Sequence, residues 1–457
     1  MRLLRTLLFL ISTLFFWTAC EVDSNTMLEE QQTELDVALE NTLATAAMSF
    51  GDTDKTRFQM PSSDAYASIP QDPNNAITAE KVALGQLLYH EASLGVKPKL
   101  GEGMQTYSCA SCHFAAAGFQ AGTAQGIGDG GIGIGARGDA RGKAPNYAPS
   151  EIDVQPIRTP SAMNAAYQEL MLWNGQFGAV GANVGTEEYW GEGTPIEVNE
   201  LGYQGLETQA IAGMGVHRMD CTEEMMRVMG YDALFDAAFP DVPVAERYNL
   251  EHAGLAMAAF ERTLLANQAP FQKWLAGNSN AMNNREKRGA VLFFGKANCV
   301  SCHNNPALST MEFHALGMGN LDDAKATVFN VSGTESAHLG RGGFTRNPMD
   351  NYKFKVPQLY NLKDSPFYGH GATFRDLESV VRYKNEAQPE NADVPTTQLA
   401  TQFRPLNLSD QEIQDLVAFL EDALYDPNLQ RYQPSSVYSG ACIPNNDLIS
   451  KEHLGCN

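Results

Sequence analysis

Cys109-Ala-Ser-Cys112-His113 is the stretch whose reading decides the fold. Two thiols separated by two residues and followed at once by an imidazole are the chemistry of covalent haem attachment. The thiols add to the two haem vinyl groups, and the histidine is held beneath the iron as its proximal ligand. A second copy, Cys299-Val-Ser-Cys302-His303, stands far downstream. Chance does not place two such motifs in a chain with eight Cys and nine His. The chain is therefore expected to carry two haem c groups, each wrapped by a few helices whose apolar side chains use the haem faces as core.

Helical periodicity surrounds both motifs. Thr78 caps a helix running to about Glu91, with Val82, Leu84, Leu87 and Leu88 available for burial. Residues 243–266 form one helix with Leu250, Met257, Phe260 and Leu264 along one side, and residues 285–296 form another that leads into the second motif. Helix resumes over 376–384 and again from Ser409, where Ser409-Asp-Gln-Glu412 is a capping box ahead of Ile413, Leu416, Val417, Leu420 and Leu424. Strand signals are few and short, so the fold class is mainly α: two cytochrome c-like haem domains packed against each other, and rich in loops. The division expected is 69–270 for the first haem domain, 271–430 for the second and 431–457 for a tail. Between Gly118 and Lys143 the chain is glycine-rich, and Gly126-Ile-Gly128-Asp-Gly130-Gly131 has the spacing of a dinucleotide loop. No strand precedes it and no helix follows, so it reads as an irregular loop near the first haem.

Composition bounds the rest. With 457 residues, 43% hydrophobic and 19% charged, the chain is an ordinary multidomain globular protein. A formal charge of −22 excludes nucleic acid as a partner, since phosphate binding needs clustered cations. That charge serves solubility or steers a basic redox partner. Residues 1–20 read as a processing segment: Arg2 and Arg5, an apolar run from Leu3 to Trp17, then Thr18-Ala19-Cys20. The pattern resembles a lipoprotein signal that leaves Cys20 as the lipidated N-terminus, with an ordinary secretory signal as the alternative. Either way the protein is exported, to the periplasm or cell envelope. Residues 21–68 read as a tether with one helix, on which Leu28, Leu35, Ala38, Leu39 and Leu43 share a face. Of the other cysteines, Cys442 and Cys456 can close a disulfide in the tail while Cys221 stays a thiol, or Cys221 pairs with one of them.

The chain resembles the dihaem cytochrome c peroxidase and MauG superfamily over nearly all of residues 69–425. The likeness is carried by Ile69-Pro70 and Thr78 to Leu88; Ser108 to His113; Arg158-Thr-Pro-Ser-Ala-Met-Asn164 with Trp173-Asn-Gly175; Phe235 to Pro240; Ala259-Phe-Glu-Arg-Thr-Leu264; Gly295 to His303; Lys355-Val-Pro357 through Pro366; and Leu377 to Tyr383. It implies a first haem that meets peroxide, a second that relays electrons, and Trp173 as the bridge between them. It also implies a calcium ion between the domains, near Asn164 and Asp364 to Pro366.

Two departures bear on mechanism. Where the family has a glutamate before a methionine, this chain has Gly215-Val-His217-Arg218-Met219. His217 can take the proton of bound peroxide and Arg218 can stabilise the departing oxygen; alternatively His217 ligates the first iron or is structural. Counting on from Pro366 without gaps places Tyr383 at the sixth-ligand position of the second haem, with Lys384 beside it, and the alternative is an interfacial tyrosine. A phenolate there would lower the potential relative to methionine. His370, in Tyr368-Gly-His370-Gly, falls near the haem interface.

The leading expectation is an exported, lipid-anchored dihaem c-type peroxidase reducing hydrogen peroxide at the His113 haem. A one-electron donor, such as a small cytochrome or cupredoxin, would feed the His303 haem. The alternatives are a MauG-like oxidase of a protein or small molecule, and a dihaem electron-transfer cytochrome with both irons closed. A homodimer is a further expectation.

Overall fold

The computed structural model describes residues 24–332 and 336–456. The expected leader and Cys20, and the side chain of Leu28, lie outside the described residues. The first half is built on three helices, Ala79–Tyr89, Gly205–Val216 and Leu250–Arg262. They approach so closely because glycines stand at the crossings. A β-carbon on Gly85 would collide with the Ala256 carbonyl, and one on Gly254 would lie 2.6 Å from Ile211. Inside this bundle Arg262 and Glu207 form a two-pronged ion pair of 2.8 and 2.6 Å, neither side chain being accessible. Arg262 also donates to Pro70 O and Gln204, and Asn75 donates to Glu207, so the buried charges are fully hydrogen-bonded.

The single helix expected over 243–266 is two. Val244–Arg247 ends at Tyr248, whose backbone is extended, and Asn249 then caps a new helix by accepting from His252 N. Asparagine competes well for backbone donors in this way, and that local bond outweighs continuation of the apolar stripe. The other caps sit at the anticipated residues: Thr78, Asp376 and the Ser409–Glu412 box.

In the second half, Asn284–Phe294 packs on Asp410–Ala418, with Gly289 against the Asp415 carbonyl. Phe271, Phe293, Phe294 and Phe419 meet at centroid separations of 5.0–6.2 Å. The only regular strands among the described residues are two-residue ladders, Gly131–Ile132 with Gly142–Lys143 and Phe313–His314 with Phe354–Lys355.

Where the halves meet, they exchange equivalent bonds. At one constant offset along the chain Arg158 corresponds to Lys355, Asn164 to Asn361, Met171–Phe177 to Tyr368–Phe374, and Trp173 to His370. Arg158 N donates to His370 O at 3.0 Å, and Lys355 N donates to Trp173 O at 2.8 Å. Both cations are buried and both cross the interface: Arg158 donates to Ser365 Oγ at 2.6 Å, and Lys355 to Leu170 O at 2.6 Å and to Gln168. Met171 bridges Phe177 as Tyr368 bridges Phe374. The interface is thus a pseudo-twofold built from one segment used twice.

The chain ends cross over. The stretch read as a tether carries the helix Ser24–Ser49, and its second half is docked on the second haem domain. Leu39, Leu43 and Ala47 are fully buried there, Asp36 pairs with Lys287 at 2.6 Å, and Trp274 Nε1 donates to Asp36 at 2.7 Å. Conversely the C-terminal tail lies on the first haem domain. Ser108 Oγ donates to Pro444 O, Asn446 N to Thr106 O, and Gly133 N to Asp447. A disulfide joins Cys442 to Cys456, and Cys221 is a buried free thiol.

Candidate haem sites

Each attachment motif forms the same small turn. Cys109–Ser111 and Cys299–Ser301 are single 3-10 turns, closed by His113 N to Cys109 O at 3.2 Å and His303 N to Cys299 O at 3.0 Å. In each, the histidine Nδ1 faces a carbonyl just downstream: Phe119 O at 3.2 Å and Leu308 O at 2.7 Å. That bond places the proton on Nδ1 and leaves Nε2 as the metal-binding nitrogen. Burial pulls both imidazoles down to about 4, so both are neutral, as an iron ligand must be. Cys109, Cys112, Cys299 and Cys302 are all free thiols in a chain that forms a disulfide elsewhere. The residues present fit two thioether-linked haems. His113 and His303 would serve as proximal ligands.

The surroundings of the two turns differ. Beside the first, the glycine-rich loop passes so near that a β-carbon on Gly126 would lie 2.8 Å from Cys112 Sγ. The loop brings Asp129, fully buried, and the next segment brings Asp153, which shares its surroundings with Cys112. The Gly205–Val216 helix ends here and delivers His217 and Arg218, the latter in the left-handed conformation at φ 60°. His217 Nδ1 bonds Asp153 Oδ2 at 2.7 Å, and its Nε2 makes no hydrogen bond among the described residues. Burial pulls this imidazole down, but the Asp153 carboxylate outweighs it and leaves its pKa above the ordinary 6.5. Its charge is felt at His113. Arg218 pairs with Asp129 and donates to Glu151 O at 2.8 Å, while its own carbonyl accepts from Tyr107 Oη at 3.1 Å. Glu261 also lies here, close enough to act on Cys109. Burial, reinforced by Glu207, pushes its carboxyl up to about 8, and its Oε2 has no partner.

The second turn follows the Asn284–Phe294 helix and sits among rings, with Phe293 6.2 Å from His303. His314 Nε2 lies 3.7 Å from Cys302 Sγ and 2.9 Å from Glu312. Although these three could group around an ion, the sulfur belongs to the haem linkage, so they make no separate metal site. Tyr383, read as a sixth ligand, is turned into the protein: its hydroxyl donates to Leu316 O at 2.5 Å, and its ring packs on Phe374 and Phe403. The charge that both Cys299 and His303 feel is that of the next residue, Lys384, whose ammonium burial pulls down to about 8.

Between the sites, Trp173 Nε1 donates to Arg158 O at 2.8 Å, and its ring meets His370 edge-on at 6.3 Å. His370 is buried and neutral and stacks on Phe354 at 3.5 Å. The oxygens offered for calcium are already engaged. Asn164 Oδ1 accepts from Ala266 N at 2.9 Å, as Asn361 Oδ1 accepts from Asp426 N in the other half, and Pro366 O accepts from Arg375. Asn164 is therefore a structural clamp matched by Asn361. Asp129, Asp153 and Glu261 are given no role by the sequence reading, and Lys384 enters it only as the neighbour of Tyr383. Only Lys384 left a signal, as a cation on the apolar face of its helix.

The family model for di-haem cytochrome c peroxidase matches residues 79–280. The methylamine utilization protein MauG of Methylorubrum extorquens is 28% identical over 377 residues, covering 82% of this chain and 85% of that protein. The cytochrome-c peroxidase IdrP1 of Denitromonas iodatirespirans is 29% identical over 372 residues, covering 77% of this chain and 84% of that protein. Among solved structures, a MauG-like protein associated with microbial copper homeostasis shares the fold. Its TM-score is 0.55 at 23% identity, over 81% of this chain and 95% of that one.

Proposed function

Since the chain belongs to the dihaem cytochrome c peroxidase and MauG superfamily of oxidoreductases, we propose that it reduces hydrogen peroxide to water beside His113 with electrons from a one-electron donor. Haem iron supplies the centre that binds peroxide and exchanges electrons with it. Everything else is asked of the chain. His217 is a base with a free Nε2, held in one orientation by Asp153. It can take the proton of the near peroxide oxygen and return it to the departing one. Arg218 carries a fixed positive charge, aimed by Asp129 and Glu151 O, that favours the departing hydroxide. Glu261, uncharged below about pH 8, is a further proton store near Cys109. Trp173 links the halves by hydrogen bonds: its carbonyl accepts from Lys355 N, and its Nε1 donates to Arg158 O, while Arg158 N donates to His370 O. The observation that carries this reading is the His217–Asp153 pair beside the first attachment turn.

The Tyr383 hydroxyl bonds Leu316 O, which favours the peroxidase reading over the MauG-like oxidase. Export and lipid anchoring through Cys20 complete the proposal. No helix among the described residues is long and apolar enough to cross a membrane. The test is the spectrum of the two-haem protein during peroxide addition, with oxidation of reduced cytochrome c followed in parallel. One high-spin ferric haem that responds to peroxide, with turnover, is expected. Two low-spin haems that ignore peroxide would overturn the reading.

A further inference from the structure

The Leu377–Glu386 helix has two distinct faces. Glu378 and Arg382 pair at 2.8 Å on its outer face, where Arg382 also meets Asp410 and Gln414 donates to Glu378. Leu377 and Val381 are buried on the other, and Lys384, seven residues beyond Leu377 and three beyond Val381, continues that inward row. A lysine belongs there only if something meets its amine. No carboxylate does: Lys384 Nζ makes no ion pair and no hydrogen bond among the described residues, and it stands over the faces of Tyr383 and Phe403, each 5.9 Å away. The groups that share its electrostatic surroundings are Cys299, Cys302 and His303, the three residues that would hold the second haem. Tyr383 stands one residue earlier and its hydroxyl is fixed on Leu316 O, so the helix register that buries the phenol is the register that turns the amine toward the haem residues.

We propose that Lys384 is the second axial ligand of the haem held by Cys299, Cys302 and His303. The amine binds as the neutral group: its proton goes to solvent and its nitrogen lone pair fills the open coordination position of the iron. Two nitrogen donors make a six-coordinate, low-spin centre closed to peroxide, which confines peroxide chemistry to the other haem. An amine also stabilises ferric iron relative to a thioether, so the relay haem sits at a lower potential and its electrons run downhill toward the first haem.

The test is electron paramagnetic resonance and near-infrared magnetic dichroism of the ferric two-haem protein, with haem content checked for each variant. In the parent one low-spin histidine–amine signal is expected. Lys384→Ala should convert that signal to high spin at unchanged haem content. Lys384→Met, which keeps the side-chain volume should the alanine variant fail to fold, should exchange it for a thioether-ligated signal with a sulfur-to-iron charge-transfer band. Tyr383→Phe should leave it unchanged. A low-spin signal that survives in folded Lys384→Met without sulfur character, or one lost in Tyr383→Phe, would overturn the assignment. These readouts stand whether or not the protein turns over peroxide.

Discussion

Around Cys112 the chain gathers two carboxylates, a histidine and an arginine, each held by a partner distant in sequence. Around Cys299 and Cys302 it gathers phenylalanine, the His314–Glu312 pair and a lysine that no carboxylate holds. The attachment turns themselves are the same device, down to the carbonyl that orients each histidine. What separates the two sites therefore lies in what the neighbouring segments bring to them. A histidine and an arginine each fixed by a buried carboxylate suit bond-breaking chemistry, whereas aromatic rings and a lysine held by no carboxylate suit electron transfer. Two haems of equal attachment can thus be given unequal work by their surroundings alone.

The sharpest way to break this contrast is His217→Gln. Peroxide turnover should fall by about 10²- to 10⁴-fold, the range for a lost general acid–base, with haem content and the spectrum of the second haem unchanged. A loss of threefold or less in stopped-flow turnover would locate the difference elsewhere. Next is Leu43→Ala, which opens a cavity between the first helix and the second haem domain and should cost about 2–5 kcal/mol. Calorimetry should show the second domain destabilised, and an unaltered profile would mean the helix is an ornament. Cys442→Ser tests the opposite end. A closed loop of this length contributes about 3 kcal/mol, so the first haem domain alone should melt earlier.

The smallest effect is a pH dependence. His217 must be neutral to accept a proton, and Asp153 raises its pKa above 6.5, so activity should decline as pH falls through that raised value. The acid limb should move to lower pH in Asp153→Asn. The sign for stability is opposite: the charged His217–Asp153 pair contributes fully below the unfolded value near 6.5 and is lost as pH rises through the folded one. Coincident movement of both curves in the same direction would rule out the pair as their origin.

The attachment turns were legible because their chemistry is local: two thiols and a histidine within five residues admit few other readings. Helix starts at Thr78, Asp376 and Ser409 were legible for the same reason, each cap bonding its own first turn. The surroundings were not. Asp153 reaches His217 and Asp129 reaches Arg218 across long stretches of chain, from a glycine-rich loop and the segment after it, with no periodicity to read. Tyr383 and Lys384 show how fine the margin is. One residue along a helix is a rotation of about 100°, so a gapless count does not choose between Tyr383 and its neighbour. The matching roles of Asn164 and Asn361 left no local signal either, because each accepts from a backbone N–H far along the chain.

The crossed chain ends set the order in which this protein can be finished. The Ser24–Ser49 helix is synthesised first, yet the surface it covers, around Trp274 and Lys287, arrives much later. The tail that covers Ser108 and Gly133 arrives last of all. The first attachment motif is thus covered by a segment that follows the second motif in the chain, and the second half by a helix that precedes the first motif. Each half of the molecule has part of its cover encoded in the opposite half of the sequence.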